Sequence, residues 1–312
     1  MRLLFGFHMP SFTYPDTPPE RLFERVVEQA LAAEAAGFDL LTVMDHFYQI
    51  PPIGPEEQPM LEAYTTLGAL AARTSSILLG TMVTGVTYRN PALLAKAVTT
   101  LDTISGGRAV LGLGAAWNES EHHGYAFDFP PIRERMDRLE EALEICHRMF
   151  TEERPSFEGR YYQIHEARNV PRPLQPGGPK ILVGGGGERR TLRMVARYAD
   201  IANVNGPLDE LRHKLEVLDR HCEAEGRDPA TIRRTTAAPL VLVEDRAQAE
   251  RVLATIPPER QAQLAPVTPE EAAERLAPYV EAGFDGFIFR NPTLPTPAVI
   301  GLAGRLIQLM RG

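Results

Sequence analysis

Cysteine and tryptophan are almost missing from this 312-residue chain, which has 2 Cys and 1 Trp. Cys146 and Cys222 each fall in a predicted helix without metal-type spacing, so neither a disulfide framework nor a zinc site is expected. A surplus of positive charge is missing too: Lys+Arg is 33, Asp+Glu is 41, and the net charge is -8. That balance argues against a general nucleic-acid binder or an anionic-membrane surface protein, while leaving room for one local basic pocket. No apolar stretch approaches the length of a membrane span, and the apolar part of MRLLFGFHMP is too short for a signal peptide. The expected compartment is the cytoplasm.

What is present is ordinary globular material, 44% hydrophobic and 24% charged. The length suits one large α/β barrel or two ordinary domains. Apolar runs predict strands at Leu3 to Met9, Phe38 to Asp45, Ile77 to Thr84, Ala109 to Ala115, Ile181 to Val183, Asp200 to Asn205, Ala237 to Val243 and Phe284 to Phe289. Helical spacing predicts helices at Pro19 to Ala36, Leu61 to Arg73, Pro91 to Ser105, Ile132 to Phe150, Glu188 to Tyr198, Leu208 to Glu225 and Pro297 to Met310, with helical segments between Arg246 and Val280. An irregular arm, Thr151 to Pro179, interrupts the alternation. Apolar, non-alternating strands that alternate with helices mean a covered parallel sheet, and eight repeats favour a closed (β/α)8 TIM barrel with loop insertions, one domain over residues 1–312. The echo of Glu34 to Asp39 in Glu281 to Asp285, each with a Gly between helix and strand, supports repetition.

In a barrel, chemistry gathers at the C-terminal ends of strands. After the fifth strand stand Gly184, Gly185, Gly186 and Gly187, followed by a helix start and by Arg189 and Arg190. Strand, glycine run and helix N-terminus make an anion cradle, with a tight turn as the plainer explanation. After the second strand, Asp45 can accept a hydrogen bond from a ligand ring N–H and His46 can move a proton near neutral pH. The competing reading is a capping Asp and a packed His. Gly112 and Gly114 leave room either for a planar ring or for close strand packing. Glu119, Glu121, His122 and His123 superficially suggest a metal, but a solvated loop is the expectation, so no metal is assigned. Lys180 lies at the start of its strand, which disfavours a Schiff-base barrel.

These segments resemble the luciferase-like monooxygenase superfamily, in its coenzyme F420-dependent branch. The resemblance runs through Val43 to Phe47, Leu79 to Pro91, Asp102 to Arg108 with Gly112 to Asn118, and the glycine run through Asp200. It implies an oxidoreductase that transfers hydride between the deazaflavin F420 and an organic substrate. By similarity Asp45 and Asn118 contact the ring system, a non-proline cis peptide at Met82–Val83 backs it, and Gly184 to Gly187 hold the phosphate of the tail. His46 faces the reacting centre as proton-transfer group, with His8 or the His122–His123 loop as substitutes. Related sugar-phosphate dehydrogenases carry a glutamate where this chain has Ala115, so that proton donor is missing. The resemblance also implies a homodimer paired through helices that contain Leu67 to Ala72 and Leu93 to Val98. The alternatives are an FMN-dependent monooxygenase on the same fold and a non-catalytic barrel that carries flavin or deazaflavin.

Overall fold

A computed structural model describes residues 2–254, 261, 265–293 and 295–312. Its strands are short and, apart from the seventh, largely apolar: β1 (Leu4–Met9), β2 (Leu40–Val43), β3 (Leu78–Thr81), β4 (Ala109–Gly114), β5 (Lys180–Gly184), β6 (Ile201–Asn203), β7 (Arg233–Ala237) and β8 (Gly286–Arg290). All pair in parallel in chain order, β3 with β4, and β8 returns to β1, so the sheet closes. This is the (β/α)8 barrel. Closure leaves no free sheet edge. One residue from each of seven strands, among them Leu4, Leu40, Val110, Leu182, Ile201 and Ile288, fills the interior. Met82 and Val83 pack on that plug and so form the floor of whatever lies above it.

The bottom of the barrel is pinned by carboxylates. Asp39, Asp200 and Asp285 each accept a backbone N–H from the neighbouring strand, those of Phe5, Ile181 and Arg234, at 2.8, 2.8 and 2.7 Å. The two echoed segments behave alike: Gly37 and Gly283 have φ of 89° and 99°, a left-handed region glycine enters without penalty, and Phe38 and Phe284 then turn into the core.

Helices α1 (Leu22–Ala35), α2 (Ala63–Ala71), α3 (Pro91–Ser105), α4 (Glu119–Gly124), α5 (Ile132–Thr151), α6 (Thr191–Tyr198), α7 (Leu208–Glu225), α8 (Arg246–Leu253), α9 (Pro269–Glu281) and α10 (Pro297–Arg311) follow. The arm before β5 holds a two-residue hairpin, Phe157–Glu158 with Gln163–Ile164. Arg172 from that arm donates to the carbonyls of Met149, Phe150 and Glu152, satisfying the C-terminal end of α5.

Three expectations need correction. The seventh strand is Arg233–Ala237 and not Ala237 to Val243. Thr235 and Thr236 are the buried strand residues, while Arg234 reaches Asp219 and Arg233 lies 3.6 Å from Asp285. The apolar run after it is buried as well, but packs as a loop with a single bridge, Leu242 to Val267. Hydrophobicity there signalled burial, not pairing. Glu119 to Gly124 forms α4 with Glu121 and His122 fully buried, so it is no solvated loop. The helix after the glycine run starts at Thr191, a turn later than Glu188. Part of the helical stretch expected between Arg246 and Val280, residues 255–260 and 262–264, lies outside the described residues.

A Cβ on Gly112 would stand 1.9 Å from the Thr81 carbonyl oxygen, whereas one on Gly68 in α2 would meet nothing within 4 Å. Gly112→Ala therefore lowers stability by about 1–3 kcal/mol or more, and Gly68→Ala raises it by about 0.5–1 kcal/mol. Urea midpoints of the two variants, moving in opposite directions from the parent, check this.

Candidate active site

At the C-terminal mouth of the barrel a cavity of about 400 Å³ is bounded by five stretches. These are Asp45-His46 after β2, Met82 to Gly85 with Tyr88 after β3, Gly114 to Trp117 at the end of β4, Ile132 and Met136 in the first turns of α5, and Gly184 to Gly187 with Thr191. The fold thus brings together seven of the expected cofactor contacts, Asp45, Met82, Val83 and the four glycines, with the expected acid–base residue His46. The peptide between Met82 and Val83 is cis.

His46 is held by Glu121, whose acidic, His-rich neighbourhood predicts a solvated loop. Its Nδ1 donates to Glu121 Oε1 at 2.6 Å, and the other carboxylate oxygen accepts the backbone N–H of Phe47 at 2.7 Å. The Tyr88 hydroxyl also donates to Glu121. Burial alone would raise the Glu121 carboxyl, but the bonds from His46, Tyr88 and Phe47 outweigh it and hold the group below the ordinary glutamate value. An ionised carboxylate on Nδ1 fixes the imidazole tautomer and leaves Nε2 as the nitrogen free for proton exchange. Trp117 stands edge-on to the His46 ring at 5.3 Å. The signal for Glu121 was its position three residues after Asn118, the spacing of a capping box. In the structure Asn118 makes no such cap bond and the glutamate turns inward.

Asp45 is buried and clasped by Arg89, whose Nη1 and Nη2 reach its two oxygens at 2.5 and 3.0 Å. Arg89 continues to Glu62 at 2.6 Å and lies over the Tyr64 ring. Burial pushes the Asp45 carboxyl up and the guanidinium opposes it. A hydrogen bond from a ligand would use the lone pairs left by Arg89.

The glycine run forms a cradle. Gly185 has φ of 118° and its N–H goes to Asn203 O, but among the described residues no protein acceptor takes the N–H of Gly186 or Gly187. A Cβ at Gly187 would come within 2.8 Å of Thr191 Oγ1, and one at Gly186 within 3.1 Å of Lys214 and Val204. Lys214 on α7 donates to Gly186 O at 2.9 Å, a cation beside the cradle that sequence reasoning missed. Arg190 is directed elsewhere, to Asp137 at 2.7 Å and Glu140 at 3.4 Å. Gly112 and Gly114 make room for protein, not for a ring: Thr81 O faces the first and Val83 Cγ2, at 2.7 Å, the second.

The remaining candidates lie apart. Asn118 is buried, its Nδ2 lacks a partner, and it is not in the cavity wall. His8 is buried against Thr42 outside the cavity wall, and desolvation together with Arg290 drives its imidazole down to about 3, so it stands neutral. His122 donates from Nδ1 to Asn118 O and accepts at Nε2 from Thr87 Oγ1, both at 2.6 Å, which removes it as a proton donor to the cavity. His123 is exposed. Among the described residues no group of three or more His, Cys, Asp or Glu could hold a metal ion.

An imidazole held by a buried carboxylate and a glycine run with two amides free of protein acceptors meet at one barrel mouth, the place and the chemistry of a barrel enzyme's active site. The profile of the luciferase-like monooxygenases matches residues 4–267. The F420-dependent glucose-6-phosphate dehydrogenase of Kineococcus radiotolerans is 33% identical over 306 residues, covering 86% of this chain and 87% of its own. In fold, an F420-dependent secondary alcohol dehydrogenase in complex with an F420-acetone adduct superposes with a TM-score of 0.79 at 19% identity, and the F420-dependent tetrahydromethanopterin reductase of Methanopyrus kandleri with 0.77 at 17%; all of each chain is covered. The chain belongs to the luciferase-like monooxygenase family.

The low His8 value sets a sign. Between pH 6.5 and about 3 the unfolded chain holds a proton at His8 that the folded chain does not, so stability falls as pH falls through that window. His8→Asn should flatten this slope, by up to about 1.4 kcal/mol per pH unit. Urea titrations of both proteins from pH 7 to 4 measure the difference.

Proposed function

We propose that this chain is an F420-dependent oxidoreductase, a single luciferase-like barrel domain that moves hydride between the deazaflavin and an organic substrate. The observation that carries the reading is the meeting, in one cavity, of unpaired Gly186 and Gly187 amides with a His46 whose Nε2 is free. The similarity to F420-dependent dehydrogenases at 33% identity supports it. When bound, the cofactor supplies a ring carbon that gives or takes hydride. The chain supplies the rest. Amides of the glycine run hold the phosphate of the tail, with Lys214 behind them. Met82 and Val83 would back the ring, Asp45 would hydrogen-bond it, and His46 Nε2 would exchange the substrate proton while Glu121 holds the imidazole in place. Ala115 adds no proton donor of its own. FMN, with monooxygenation, is the second reading, since its tail also ends in a phosphate.

Titration of the purified protein with F420 and with FMN, followed by ring fluorescence, tests the cofactor. Saturation by FMN with no response to F420 reverses the order. His46→Ala should cut turnover by about 10²–10⁴-fold with cofactor affinity within about twofold. Glu121→Gln should lower turnover less and displace its pH profile. Unchanged turnover in His46→Ala removes it from the mechanism.

We place the enzyme in the cytoplasm as a homodimer. Both cysteines are free and buried, as suits a reducing compartment, and no described helix is long and apolar enough to cross a membrane. Leu93 and Ile104 on α3 and Val170 and Leu174 on the arm are at least half exposed and are joined by bonds from Lys96 to Val170 and from Leu174 to Asp102. Leu67 and Leu70 on α2 are instead buried in the core. An apolar stripe of this kind suits self-association. Sedimentation of Leu93→Glu/Val170→Glu should report a monomer where the parent is a dimer.

A further inference from the structure

The wall of the cavity has polar stretches, the glycine run with Thr191 and His46 with Thr84 and Tyr88, and an apolar one, made of Ala115, Ala116, Trp117, Ile132 and Met136. Among the described residues that line it there is no Lys or Arg, and its one carboxylate, Asp45, is already clasped by Arg89. Trp117 and Ile132 are 55% and 57% exposed, although both are large and apolar and border the same space. A single such residue on a surface is unremarkable, but two that flank a cavity beside an acid–base histidine mark a place where hydrocarbon is covered on binding. The small side chains of Ala115 and Ala116 leave the space next to them open.

From this we infer that the substrate is an uncharged, largely apolar alcohol or carbonyl compound, whose hydrocarbon part packs on Trp117 and Ile132 while its oxygen meets His46 Nε2. The assignment rests on the cofactor reading above for the hydride partner. In the oxidising direction the C–H bond gives up hydride to the oxidised deazaflavin, the O–H proton passes to His46 Nε2, and C=O forms; reduction reverses each transfer. A sugar phosphate fits this wall poorly. Desolvating a dianion requires cations or several N–H donors, and the one anion cradle in the cavity is taken by the cofactor tail. Trp117 thus acts as the specificity-determining contact.

Because Trp117 is the only tryptophan of the chain, its emission reports on this wall directly, with or without cofactor. The test titrates the protein, with and without F420, with 2-butanone, 2-hexanone and 2-octanone and with glucose 6-phosphate. Saturable changes in tryptophan emission are expected for the ketones, tightening about two- to fourfold per added methylene, and none for glucose 6-phosphate. In the F420-loaded protein, Trp117→Ala and Ile132→Asp should each weaken the ketone-induced change in deazaflavin absorbance about tenfold. A saturable response to glucose 6-phosphate, a ketone series that does not tighten with length, or no ketone response overturns the inference. Failure of the cofactor reading is separately visible, as absent F420 binding by its own fluorescence.

Discussion

The buried carboxylate of Glu121 organises the mouth of this barrel. A glutamate withdrawn from water is costly unless its oxygens are fully engaged. Here His46, Phe47 and Tyr88 all donate to it, and they come from the segments after β2 and β3, while Glu121 itself follows β4. One side chain therefore ties three consecutive strand ends together and sets the orientation of the imidazole. Asp45, one residue before His46, is treated in the opposite way. Arg89 clasps it from the other side, so two adjacent residues end with different partners: one paired with a guanidinium, the other with a carboxylate.

The glycines divide by a similar logic. Gly112 and Gly114 are small because protein atoms, Thr81 O and Val83 Cγ2, occupy the space where a Cβ would stand. That close approach lets the turn through Met82 and Val83 sit on the apolar plug and form the floor of the site. Gly186 and Gly187 are small for another reason. Their amides are left without protein acceptors at the rim of the cavity, next to the first turn of α6. Catalysis by positioning needs both kinds: a floor that cannot move, and donors that are not already spent.

Much of this architecture could be read from the chain. Seven of the eight strands overlap the apolar runs that predict them, since a strand buried on both faces has no choice but to be apolar. The glycine run and Asp45-His46 were visible because backbone donors and a titratable ring need particular residue types. The seventh strand was missed because its buried positions are threonines and its arginines reach carboxylates beyond the strand, so the hydrophobic signal moved to the loop that follows. Glu121 was missed for a related reason: an acidic, His-rich hexapeptide reads as solvated unless its partners are known.

Alternation, strand order and the candidate anion loop were determined by the sequence alone, because burial pattern and backbone freedom are local properties. Which carboxylate clamps the histidine, which arginine turns away from the glycine run and which glycine amides stay without a protein acceptor were decided only by the tertiary structure. Those outcomes depend on donors that meet across the barrel mouth, 33 to 75 residues apart in the case of Glu121, and no local pattern encodes such a meeting.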